Sequence, residues 1–183
     1  MISILGAGAI GQLLAHKLTD ALVDCQLIVR DEAIYSDNWQ FVHNGVTKQQ
    51  SFIITKVTDE KPLDIIAVCV KAPQLEAALS SIQHRLHAKS MLILLQNGMG
   101  HEVLAKQFVS SANIYFASNT HGSFRSDKQT VHYGGAGNII VGQLEPQEPS
   151  PPAWFEAFEE AELSAQWSND IQSVLYRKLL VNA

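Results

Sequence analysis

An α/β fold with a doubly wound, mainly parallel sheet is what this 183-residue sequence predicts, and three observations carry the prediction. Short apolar runs alternate with segments of helical period, the pattern of buried parallel strands covered by helices. A glycine-rich turn joins the first run to the first helix. The composition, 46% hydrophobic and 17% charged, suits a single folded domain with a real core and excludes a disordered or collagen-like chain.

Residues 2–5 form the first strand and 9–20 the first helix. Residues 25–29 form a second strand that ends at Arg30. Residues 41–43 and 51–55 read as a small hairpin, because Asn44-Gly45 suits a tight turn with positive φ. Residues 64–70 are the next strand, and Lys71-Ala72-Pro73-Gln74 leads into a helix to about Leu86. Pro73 sits at the helix start, where its missing N–H costs nothing. A strand at 91–95 runs into Gln96-Asn97-Gly98, and a helix near 101–107 and a strand at 113–117 follow. Residues 131–133 and 138–142, on either side of Gly134 to Gly137, read as a late hairpin. The proline-rich stretch 146–152 is a loop that opens a helix over 152–162.

Ser168-Asn169-Asp170 supplies N-cap residues for a last helix over 171–183. Its final two turns are apolar nearly all round, as in a helix buried among others. The expected division is therefore a nucleotide-binding domain over 1–168 and, over 169–183, the first helix of a helical domain into which the native protein continues.

A net charge of −5, from 13 Lys and Arg against 18 Asp and Glu, leaves no basic stripe and argues against nucleic acid as a partner. No apolar run approaches the roughly 18 residues of a membrane span. Cys25 and Cys69 each lie inside an apolar run and read as buried thiols in a reducing, cytoplasmic compartment. The seven histidines, among them His84, His87 and His121, show no metal-ligand spacing, and no hydrolytic set is recognisable.

Gly6-Ala7-Gly8-Ala9-Ile10-Gly11 matches G-x-G-x-x-G directly after a strand and directly before a helix, the context that the dinucleotide-binding motif requires. The first glycine permits the turn, the second lets the backbone approach a pyrophosphate, and the third lets helix and strand pack closely. The sheet is therefore expected to be Rossmann-like. Cofactor type turns on the end of the second strand. There Arg30 suits a 2′-phosphate and Asp31 an unphosphorylated ribose; the arginine fork favours NADP.

Lys71 and Asn97 lie just beyond strand ends, where open parallel sheets bind ligands. Either could equally be an ordinary surface or turn residue. On the last helix, Ile171, Val174, Leu175, Lys178, Leu179 and Asn182 share one face by their i, i+3, i+4 spacing. A lysine on that face is paired, snorkels outward, or serves as a partly desolvated acid for a developing alkoxide.

Four segments in this order resemble the ketopantoate reductase family: the glycine motif, Lys71 to Gln74, Gln96-Asn97-Gly98-Met99-Gly100, and Tyr176-Arg177-Lys178-Leu179 with Asn182. The similarity extends from the first glycine to the last residue. It implies NADPH-dependent reduction of ketopantoate, a 2-keto acid, to pantoate, with Lys178 as the catalytic general acid. Asn97, Lys178 and Asn182 would contact substrate; Arg30, Lys71, Asn97 and, near Thr120, His121 would border the cofactor. The family usually has Trp where Tyr176 stands, and its C-terminal helical domain, which supplies an acidic residue to the substrate, has no counterpart in these 183 residues. Two other readings stay open: another 2-keto acid reductase of this architecture, and a non-catalytic dinucleotide-binding module. The apolar last helix also allows a homo-oligomer.

Overall fold

The computed structural model describes residues 1–30, 35–145 and 150–182; Asp31, Glu32 and residues 146–149 of the proline-rich stretch lie outside it. The strands are β1 (Ile2–Leu5), β2 (Cys25–Val29), β3 (Trp39–His43), β4 (Val46–Gln50), β5 (Ile53–Lys56), β6 (Ile65–Val68), β7 (Met91–Leu94), β8 (Ile114–Asn119), β9 (Gly122–Arg125), β10 (Thr130–Gly135), β11 (Ile139–Gly142) and β12 (Ala165–Trp167). The helices are α1 (Ala9–Asp20), α2 (Leu75–Ile82), α3 (His101–Ala105), α4 (Glu156–Glu160) and α5 (Ile171–Asn182). Among the described residues no helix is long and apolar enough to cross a membrane.

Eight strands form the main sheet in the order β5-β2-β1-β6-β7-β8-β11-β12. The first six are parallel, β11 runs antiparallel to β8, and β12 is parallel to β11. The strand order reverses between β1 and β6, the switch point of a doubly wound sheet.

Successive side chains of the strands face opposite sides of the sheet, and both faces are buried. Ile4, Leu27, Ala67, Ile93 and Ala117 meet α1 and α4, through Leu14, Leu18 and Phe158. Leu5, Ile28, Ile66, Leu92 and Phe116 meet α2, α3 and α5, through Leu79, Ala105 and Ile171. Such two-sided burial explains why the strands read as unbroken apolar runs.

A second sheet, ordered β4-β3-β10-β9, corrects two expectations. Asn44-Gly45 does turn a hairpin, but its second arm is β4, paired Trp39 to Gln50 through His43 to Val46; residues 53–56 join the main sheet beside β2. A turn of two residues requires the partner strand to start at once, and β4 is a polar edge with no apolar alternation. The late hairpin does not form either. β10 pairs with β9 and β3, while β11 lies against β8 in the other sheet. The glycine-rich link lets the chain cross between sheets: a Cβ on Gly137 would lie 2.4 Å from the His121 nitrogen. The helix over 152–162 is a 3-10 turn, Ala153–Phe155, followed by the short α4.

His16 fastens the second sheet to α1. It is 1% exposed and packs against Phe41 and Phe52. Gln50 donates its amide N–H to Asp20, which is salt-bridged to Lys48, so its oxygen accepts from His16 Nδ1. Nε2 is then an unprotonated, buried atom without a partner among the described residues. Burial pulls the His16 pKa from 6.5 to about 4. The unfolded ring takes up its proton first on acidification, so this contribution is complete above about pH 6.5 and is lost as pH falls toward 4, about 3 kcal/mol in all. Urea unfolding of wild type and His16→Gln should show their midpoints converging on acidification; parallel pH curves would assign the loss to other groups.

Candidate functional site

The strand register places every parallel C-terminus on one edge. Leu5 lies opposite Ile28 and Val68, Val68 opposite Leu94, and Leu94 opposite Phe116. The residues just beyond follow in a row roughly 19 Å long, four inter-strand steps of about 4.8 Å: Arg30, the glycine loop, Lys71, Asn97 and Asn119.

Two of the loop glycines are required by the fold. Gly6 has φ +108°, and a Cβ there would come within 2.9 Å of Val70 Cγ1. A Cβ on Gly11 would lie 2.0 Å from the Gly6 carbonyl oxygen, so α1 rests directly on the turn. Gly8 differs. It is the extended N-cap of α1, and its Cβ would meet only Cys69 O at 3.8 Å. Its bareness keeps the backbone open to a cavity of about 470 Å³.

Gly6, Ala7, Gly8, Arg30, Lys71, Tyr35 and Arg125 line that cavity, and no Asp or Glu does so among the described residues. Ala9, Ile10 and Gly11 form the first turn of α1 just behind the wall, and the helix meets the cavity through its N-cap, Gly8, on the end that carries a partial positive charge. Lys71 stands where β6 has ended, its N–H held by Gln74 Oε1 at 3.3 Å. The cavity thus combines three cations with a helix N-terminus, an arrangement suited to phosphate groups.

Asn97, His121 and Lys178 lie farther along the edge. Asp170 Oδ1 caps α5 by accepting the Ser173 N–H at 3.1 Å, and the helix packs on β8 and β11. Lys178 is half-buried, and its Nζ donates to Asn119 O at 2.6 Å. Burial holds its pKa below the usual lysine value. Asn97 and Lys178 share a cavity of about 270 Å³ with Gln96 and Leu175, and a second of about 500 Å³ with Asn119, Thr120 and His121.

His121 is 6% exposed. Its Nε2 donates to Leu163 O at 2.9 Å, so Nδ1 accepts from Tyr133 Oη and from the Gly137 N–H. Both ring nitrogens are consumed by the fold, and the residue forms the cavity wall. α5 includes Asn182, but the Asn182 side chain lies outside the described part of the structure. The last turn of α5, apolar in sequence, is exposed in this structure: Leu180 is 78% and Val181 86% exposed.

A family model described as ketopantoate reductase PanE/ApbA matches residues 2–146. The chain belongs to the ketopantoate reductase family. Curated relatives include 2-dehydropantoate 2-reductases of Vibrio cholerae, 27% identical over 99% of this chain, and of Pyrococcus abyssi, 30% identical over 100% of this chain. The chain spans about 60% of these relatives' own length. Among solved structures, D-mandelate dehydrogenase with NADH and anilino(oxo)acetate superposes with a TM-score of 0.90 at 28% identity, over 99% of this chain and 60% of that one.

Within this ketopantoate reductase fold, sequence reasoning missed Arg125, Tyr35 and Asn119. Arg125 sits on an exposed strand 118 residues from the carbonyl it touches, Ala7 O at 2.8 Å. Tyr35, stacked on Trp39, belongs to no motif. Asn119 acts through its backbone, which carries no residue signature. Among the described residues no group of three or more His, Cys, Asp or Glu could hold a metal ion.

Proposed function

We propose that this chain forms the dinucleotide-binding part of an NADPH-dependent reductase of 2-keto acids, with ketopantoate as the first substrate to test. The observation that supports it most is the cavity at the glycine loop, lined among the described residues by three cations and no carboxylate, and set on the same sheet edge as a half-buried lysine. In this reading the backbone of Gly6, Ala7 and Gly8 and the α1 N-terminus hold the pyrophosphate, and Ala9, Ile10 and Gly11 position that terminus. Arg30 takes the 2′-phosphate. Lys71 serves the phosphates from the β6 end, and Asn97 holds the nicotinamide ribose or the substrate.

NADPH, when bound, supplies the hydride. Lys178 supplies the proton: with Nζ anchored to Asn119 O, its ammonium protonates the carbonyl oxygen as that oxygen becomes an alkoxide, leaving a 2-hydroxy acid. Its lowered pKa makes it a better proton donor near neutrality. Asn182, one turn on, is the further substrate contact. His121, both of whose ring nitrogens are engaged by the fold, borders the cofactor as part of the wall.

Residues 1–168 act as the cofactor domain and 169–183 as the first helix of a helical domain. The exposed apolar turn around Leu180 gives that domain, or a second copy of the chain, a surface to cover. Two free thiols, Cys25 and Cys69, suit a reducing compartment, and we place the enzyme in the cytoplasm.

Titration with NADPH and NADH, followed by cofactor fluorescence, tests the cofactor reading. NADPH should bind at least about tenfold tighter, and Arg30→Ala should abolish that preference. Equal affinities would move the assignment to Asp31, and no binding would remove it. A second reading is favoured by the likeness to D-mandelate dehydrogenase: a reductase of a different, bulkier 2-keto acid. A panel of 2-keto acids, assayed on the gene's full product, separates the two.

A further inference from the structure

The Ala7 carbonyl, in the middle of the glycine loop, accepts two side-chain hydrogen bonds. Gln12 Nε2 reaches it from within α1 at 3.0 Å and also donates to Lys128 O at 2.8 Å. Arg125 Nη1 reaches it from β9 at 2.8 Å. A trans peptide points its C=O and N–H in opposite directions, so two donors fixed on Ala7 O also fix the direction of the Gly8 N–H. Both donors tie the loop to the β9–β10 turn. That turn is itself set by Asp127, whose Oδ1 accepts the N–H groups of Gln129 and Thr130.

A neutral amide such as Gln12 would be enough to hold a carbonyl. A guanidinium has five N–H donors, of which the Ala7 contact uses one, and Arg125 is exposed at the wall of the cofactor cavity. We propose that Arg125 is a pyrophosphate-binding residue supplied by the second sheet: one N–H holds the glycine loop, and its remaining donors and charge meet the phosphates. The second sheet then completes the cofactor cavity rather than merely decorating α1. This inference rests on the reading of the cavity as the dinucleotide site.

Arg125→Gln and Arg125→Lys, titrated with NADPH, NADH, ADP-ribose and adenosine, test it. In Arg125→Gln the three pyrophosphate ligands should each weaken by at least about tenfold, with adenosine unchanged and a shallower salt dependence. Arg125→Lys, which keeps the charge and loses the fork, should recover part of the loss. Gln12→Met provides the structural control, since it loosens the same carbonyl and leaves the salt dependence intact. Affinities equal to wild type in Arg125→Gln overturn the proposal. So does a loss confined to NADPH, which would assign Arg125 to the 2′-phosphate, or a loss that Gln12→Met reproduces with the same change in salt dependence. If the wild-type chain binds none of the three, the cofactor reading itself falls, and this proposal falls with it.

Discussion

Replacing Lys178 with methionine should lower ketone reduction by about 100-fold to 10,000-fold, the usual contribution of a positioned general acid, and leave NADPH affinity within about twofold. Methionine keeps the length and the buried stem, so α5 should stay folded and the loss should fall on kcat. The pH profile gives a second reading. The acid must carry its proton, so activity should decline as pH rises through the Lys178 pKa, which burial holds below 10.5. In Lys178→Met that alkaline limb should vanish along with the rate. A variant that still reduces ketopantoate at the wild-type rate would show that the proton comes from elsewhere, and the contact with Asn119 would then be structural only.

Gly11→Ala should be the most damaging single methyl group in the cofactor domain. Its Cβ would lie 2.0 Å from Gly6 O, 3.1 Å from Gly6 C and 3.3 Å from Ile4 Cγ2. Backbone cannot yield as a side-chain tip does, so α1 must lift from β1. The cost should reach about 3 kcal/mol, near the top of the usual range for overpacking, or about 10 °C in thermal midpoint. Dinucleotide binding should fall by more than about 100-fold, because the N–H groups of the first turn move with the helix. Gly8→Ala separates the two effects. Its methyl group fits the fold, so the midpoint should hold within about 2 °C while binding weakens. Equal thermal losses in both variants would show that the loop is packed more loosely than these distances state.

The parts of the molecule legible in the sequence are those whose signal is local. The parallel strands announce themselves because both faces are buried, and the glycine motif because its flanks are a strand and a helix. Arg30, Lys71 and Asn97 are legible by position alone as residues of the cavity-lined sheet edge, since each follows a strand end. The second sheet was hidden for the opposite reason. The β4 sequence, Val-Thr-Lys-Gln-Gln, is an exposed edge whose single apolar residue, Val46, sets no alternation, and three of the four β9 residues, Gly122, Phe124 and Arg125, are exposed. The expected hairpin at 138–142 failed because turn chemistry is blind to which sheet the chain enters next. Arg125 could not be found without β9, and β9 could not be found without its partners.

The second sheet also dictates an order of assembly. Its central pair joins β3, at residues 39–43, to β10, at 130–135, by the register Gln40 to Thr130. Some 90 residues separate these partners, and between them lie four strands of the main sheet. Closing a loop of that size is rewarded only after the intervening chain has compacted, so the parallel sheet should form first and the smaller one zip up last. The glycine loop would then exist for a time with its first strand and helix in place but without the β9–β10 turn beside it. A dinucleotide that binds the finished cavity more tightly than this unfinished one stabilises the last step of folding in particular, acting as a ligand for completion rather than for nucleation.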